Sequence, residues 1–339
     1  MTYAAVALSI NVLRPQVIAV AHDTSPRITV YPWSSSGFGT KYTNPVTLPT
    51  GDGNGVSFSP SKNAIIVVST LTPFVTAYPW SSSGFGTKYT NPVTLPTGDS
   101  RDVAFSPSGD AVAIAHNTTP FVTAYPWSSA GFGTKYTDPV TLPTGNGRGI
   151  GFSPSGDAIA VGHQITPFVS AYPWSSGFGT KYANPVTMLT ATGTGIRWNP
   201  SGDTIAVGHS ASPWINAYAW SSGFGAKYAN PVTPLSDNGY RSSWSPSGNE
   251  IAIASFDFTE NLIAYAWSSG FGTKFTNPVG KPVNSAQGVA FDLTGKTVAY
   301  ATVESPRVVA YPWSSSGFGT KYSNPATLPT GQGQGVAFG

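Results

Sequence analysis

The sequence predicts an all-β chain folded as a seven-bladed β-propeller, with four antiparallel strands per blade and essentially no helix. Three observations predict it. A tryptophan recurs every 46 or 47 residues, at Trp33, Trp80, Trp127, Trp174, Trp220, Trp267 and Trp313, each within a near copy of Tyr-Pro-Trp-Ser-Ser-Ser-Gly-Phe-Gly-Thr-Lys-Tyr. Each copy divides into four apolar runs separated by turn residues. The composition, with 38 Gly, 30 Pro, 13% aromatic and only 9% charged residues, supplies turns and buried rings in plenty but little for a solvated helix face.

Taken in order, the fourth copy shows the runs as Gly149 to Ser153, Ala158 to His163, Phe168 to Trp174 and Phe178 to Val186. The first three are apolar at nearly every position, as expected of strands covered on both faces between neighbouring blades. The fourth is more polar. Its lysine and Asn-Pro step suit an outer edge strand that resists pairing with another molecule. The Ser-Pro-Ser-Gly-Asp segments at Ser106 to Asp110 and Ser153 to Asp157 read as tight hairpins between the first two strands. Four strands in about 47 residues exclude helical solenoids and exceed the coil of a β-solenoid. Residues 1–339 therefore form one domain. Eight copies of the innermost strand serve seven blades, with the surplus at Ala5 to Ser9 and Gly335 to Gly339. The ring is expected to close by joining both ends of the chain in blade one, with the carboxy-terminal copy in the inner slot.

The run Gly-Ile-Gly-Phe-Ser-Pro-Ser-Gly at Gly149 to Gly156, followed by Ala-Ile-Ala-Val-Gly-His and a third strand ending in Trp, resembles WD-repeat and related propellers over essentially the whole chain. The resemblance implies architecture rather than activity. Ser follows the Trp where WD repeats carry Asp, and no Gly-His pair precedes the first strand. The repeated Ser-Gly-Phe-Gly-Thr-Lys-Tyr block also resembles highly repetitive proteins encoded by tailed bacteriophages, which implies a virion component assembled in the host cytoplasm.

Candidate chemistry is sparse. With no cysteine there is no disulfide, thiolate metal site or thiol nucleophile. Met1 to Val12 lacks a basic region ahead of its short apolar stretch, and no apolar run nears the roughly 20 residues that span a bilayer. No secretory signal and no membrane insertion are expected. Net charge is +3, but Lys41, Lys88, Lys135, Lys181, Lys227, Lys274 and Lys321 occupy one repeat position, a diffuse ring unsuited to nucleic acid.

His22, His116, His163 and His209 share another repeat position, the end of the second strand. Four blades carry them, so they read as structural hydrogen-bonding groups rather than a cluster. Most carboxylates fall in hairpin turns. Asp257 and Glu260 break the pattern in blade six and read as a solvated loop insertion, with a cation site as the lesser alternative. The glycine-rich Gly51 to Gly55 precedes a strand, not the helix a phosphate loop needs. The seven tryptophans are expected to be core anchors. No catalytic residue, metal or cofactor is assigned, and the chain is not expected to be an enzyme.

Because the copies are nearly identical, their differences are informative. One position, two before the apolar residue of the innermost strand, reads Asn54, Arg101, Arg148, Thr194, Tyr240, Gln287 and Gln334. These are expected to ring the channel mouth, joined by Asp102, Arg241 and Arg197. Arg27, Trp214 and Arg307, after the second-to-third-strand turns, are expected on the same face. Such a rim suits a contact site. The expected function is a non-enzymatic virion module, in the decoration, baseplate or fibre, that binds another virion protein or a host surface receptor or glycan through this face. The alternative is a multivalent lectin with one glycan site per blade.

Overall fold

A computed structural model describes residues 16–339, and among these it contains strands and no helix. Seven antiparallel sheets stand around a central axis, six of four strands and one of three. Among the described residues no helix is long and apolar enough to cross a membrane. Ala5 to Ser9 lies outside the described residues. The carboxy-terminal strand Gly333–Phe338 pairs antiparallel with Val17–His22 and holds the innermost position of blade one.

The second strand of each blade explains why the apolar runs are unbroken. Ala64–Ser69, Ala111–His116 and Ala158–His163 are buried at every residue, because each sheet face is covered by the adjacent blade. The core is accordingly a ring of layers between blades. One layer sets Ala64, Ile66 and Val68 of blade two against Val103, Val112 and Ile114 of blade three.

Each tryptophan anchors such a layer. Trp80 meets Phe85 of its own outer strand at 4.9 Å, Phe58 of its inner strand at 5.8 Å and Tyr42 of the preceding blade at 5.0 Å, all edge to face. Trp127 and Trp313 repeat the arrangement. The aromatics of the Gly-Phe-Gly-Thr-Lys-Tyr block thus join blades through oriented ring contacts.

The hairpins follow their sequence. Ser106 Oγ accepts the Ala111 N–H at 3.0 Å and donates to Asp110 at 2.8 Å, while Gly109 adopts φ +74°, a conformation that favours glycine.

The fourth strand is much shorter than the Phe178 to Val186 run suggests. It spans only two residues in four blades, as in Gly37–Phe38 and Gly84–Phe85, and one bridge, Trp174 with Phe178, in blade four. The third strand explains this. Trp33 donates its N–H inward to Gln16, so the neighbouring Pro32 faces outward without an N–H to give. Blades five and six carry Ala219 and Ala266 there instead, and their outer strands extend to Phe224–Lys227 and Phe271–Lys274. Beyond these strands the lysine folds onto its own loop, as in the Lys88 Nζ donation to Asn91 at 2.5 Å.

Candidate functional site

Every innermost strand begins with a register shift. The shifts fall between Gly53 and Gly55, Ser100 and Asp102, Gly147 and Gly149, Gly193 and Gly195, Gly239 and Arg241, and Ala286 and Gly288. The seventh leaves Gln334 unpaired between Gly333 and Gly335. The residues skipped are the seven variable ones, Asn54 to Gln334. A bulge of this kind re-aims a side chain out of the ladder, and all seven line one cavity of about 300 Å³ at the channel mouth.

The cavity wall is unevenly charged. Blades three and four contribute Arg101 and Arg148, whose Nε atoms are buried without a hydrogen-bond partner. Arg101 reaches Asp99 only at 3.4 Å. Arg148 forms no ion pair among the described residues, and burial followed by the like charge of Arg101 lowers its pKa. Blades seven and one present the amides of Gln287 and Gln334. Asn54 is partly committed, donating to Ser100 O at 2.8 Å. In blade five Thr194 donates to Gly239 O at 2.5 Å. Tyr240 completes the wall in blade six, stacked on Phe256 at 5.6 Å and 25°.

Next to the rim residues a charge cluster forms around the buried Asp102 carboxylate. Arg241 crosses from blade six and donates to Gln334 O at 2.9 Å, Asn54 O at 3.1 Å and Arg101 O at 2.7 Å, in blades one, two and three. Its other neighbour is Asp102, 3.5 Å away. Arg197 approaches the same carboxylate at 3.5 Å and donates to Ile150 O at 3.0 Å. Asp102 also accepts the Ile150 N–H at 3.2 Å. Elsewhere the position of Asp102 and Arg241 is glycine, and Gly149, for example, would place a Cβ 2.7 Å from Gly195 Cα. The cluster therefore replaces close backbone contact by side-chain bonds across the channel. Burial lowers the pKa of Arg241, and Asp102 opposes that shift.

Of the thirteen residues expected on this face, eight line the cavity, Asp102 and Arg197 belong to the charge cluster beside it, and three lie elsewhere. Arg27, Trp214 and Arg307 follow cis prolines with φ near +71°, and their carbonyls accept the N–H of His22, His209 and Thr302. Arg27 pairs with Asp52 at 2.7 Å, Arg307 bonds Val303 O, and Trp214 packs against the core. Thr192, Ser210 and Asn238 also line the cavity; Thr192 and Asn238 share one repeat position, four before the apolar position of the innermost strand, and Ser210 directly follows the second strand, so the signal that could have found them is residue variation in connections of constant length.

The remaining candidates do not line the cavity. The histidines are fully buried, with Nε2 of His22, His116 and His163 within 3.0 Å of Thr29, Thr123 and Ser170. Burial pushes all four down to about 4. Glu260 is taken by Lys274 at 2.6 Å and Asn277 at 3.2 Å, and Asp257 by Ser236 and Thr259.

Comparison of the whole structure is decisive for the fold. A protein from Bacteroides fragilis provisionally named a 6-phosphogluconolactonase superposes with TM-score 0.76 at 12% identity, covering 97% of this chain and 99% of its own. Its counterpart from Bacteroides uniformis gives 0.72 at 14%, covering 96% and 99%. The periplasmic gluconolactonase of Pseudomonas aeruginosa gives 0.72 at 14%, covering 95% and 99%. The likeness shows a shared seven-bladed fold. No protein-family model matches the sequence, and neither does any curated protein.

These structures are named as lactonases rather than as WD-repeat or virion proteins. They overturn two expectations: that this is a non-enzymatic virion module, or alternatively a multivalent lectin, and that the chain is not an enzyme. The physical reason is distance from the axis. Equivalent positions far from it, such as the four histidines, stay apart around the ring, whereas the bulge residues and the side chains of Asp102, Arg197 and Arg241 converge at the channel.

Proposed function

We propose that the channel-mouth pocket binds a small anionic lactone and opens it by hydrolysis, the reaction class for which the structural neighbours are named. The observation that carries this reading is the Arg101 and Arg148 pair, two guanidiniums with unpartnered Nε atoms on one wall of a 300 Å³ cavity. A planar guanidinium fork matches a phosphate or carboxylate geometrically as well as electrically. The amides of Gln287 and Gln334 stand on another wall, where N–H donors can stabilise the oxyanion formed when hydroxide from solvent adds to a lactone carbonyl. The ring C–O bond then breaks, the ring oxygen takes a proton from water, and the acid product releases one to solvent as carboxylate.

Among the described residues no carboxylate or imidazole lines the cavity, so the reading assigns rate enhancement to charge and positioning rather than to a side-chain base. The turnover number is then expected to rise with hydroxide concentration without a plateau near neutral pH. The experiment is acid release from 6-phosphogluconolactone and from the unphosphorylated lactone, against the spontaneous rate. Turnover should favour the phosphorylated lactone and fall about 100-fold in Arg148→Leu. No release above the spontaneous rate would overturn the proposal.

A further inference from the structure

Blade six differs from its neighbours in more than the bulge residue. In the other six blades a cis proline forms the second-to-third-strand turn. Blade six has Phe256 to Asn261 there instead. Phe256 stacks on Tyr240, and Phe258, a residue 57% exposed, follows it at 6.3 Å. The segment is tied down despite that exposure. Asp257 accepts the Glu260 N–H at 3.0 Å, Glu260 pairs with Lys274, and Asn261 donates to Pro282 O at 2.8 Å. An aromatic row held this firmly stands beside a cationic wall, since Tyr240 lines the same cavity as Arg101 and Arg148.

We infer that Tyr240, Phe256 and Phe258 form an aromatic subsite of the pocket, so that its preferred ligand is an anion carrying a planar ring. Tyr240 has one face supported by Phe256 while it also lines the cavity, which lets a ligand ring continue the stack. Offset stacking of rings at such distances adds affinity beyond area burial. The anion is placed by Arg101 and Arg148, and the ring then points toward blade six. The inference rests on the anion-binding part of the proposed function and is independent of lactone hydrolysis.

Calorimetric titration with inorganic phosphate, methyl phosphate and phenyl phosphate tests it. Phenyl phosphate should bind about tenfold tighter than methyl phosphate. Tyr240→Gln, which installs the residue of blades one and seven, should bring the two affinities within about twofold of each other and so abolish that preference. Phe258→Ser keeps the test available if the first variant folds poorly, and should reduce the preference by a smaller factor. A phenyl phosphate affinity equal to that of methyl phosphate, or a preference surviving both substitutions, would overturn the aromatic subsite alone. Failure of all three probes to bind the unaltered protein would overturn the anion pocket and the subsite with it.

Discussion

Around the tryptophan anchors the blades are interchangeable, whereas around the channel one position carries five different side chains in seven blades. At the anchors, Trp80, Trp127 and Trp313 make the same three ring contacts. At the bulges one structural position holds arginine twice in succession, then threonine, tyrosine and glutamine. Repetition builds a scaffold cheaply, since one good inter-blade layer serves seven times. A binding site on the axis needs the symmetry broken, because seven equal groups would crowd like charges or leave a uniform wall.

The comparison predicts different kinds of energetics in the two regions. The largest effect belongs to the scaffold. His22, His116, His163 and His209 are held neutral with pKa near 4, below the ordinary 6.5. The unfolded chain therefore binds protons first, and stability falls as pH drops from about 6.5 to about 4. Each site is worth on the order of 3 kcal/mol across that window, and the four should act independently. His116→Ser, which installs the residue found at Ser69 and Ser255, should remove about a quarter of the pH slope in denaturant melts. A slope unchanged by the substitution would place the acid sensitivity elsewhere.

The channel cluster should behave in the opposite, coupled manner. Arg241→Gly restores the residue most blades carry, yet leaves three carbonyls without their donor and Asp102 with one cation fewer. A loss of about 3–5 kcal/mol is expected. Combined with Asp102→Gly, the total should fall short of the sum of the single losses by about 1–3 kcal/mol. Additivity within error would mean that the two residues are not a unit.

The smallest effect is expected at the rim. Lys88 makes a local bond to Asn91 at an exposed site, and Lys88→Val should change stability by less than about 0.5 kcal/mol. With outer strands of two residues, it should also leave the protein monodisperse at high concentration. Aggregation of this variant would restore to lysine the edge-guarding role that its position in the sequence suggests.

Much of the fold was legible because the Trp period, the buried second-strand runs and the Ser-Pro-Ser-Gly hairpins all point the same way. The length of the outer strand was not, because the obstruction comes from Pro32 and its equivalents in the strand next to it. The rim of the site was legible for an unusual reason: near-identical copies serve as their own alignment, and the bulge position stood out as the one that would not stay constant. The charge cluster was not legible. Asp102 and Arg241 read as additions to the ring and Arg197 as a residue inside the strand, and only the backbone geometry sets the three against one another. The stacking of Phe256 on Tyr240 was hidden because the residues come from different strand ends, and the blade-six insertion drew attention to its carboxylates instead.

The central claim is that broken symmetry at the bulges makes an anion site that the scaffold does not need. Its most direct test is calorimetric titration of a sugar phosphate, glucose 6-phosphate, into the unaltered protein and into the Arg101→Glu, Arg148→Glu double variant. The account predicts saturable binding that weakens at least 100-fold in the variant, with a melting temperature within about 2 °C of the original. Undiminished binding by the variant would contradict it.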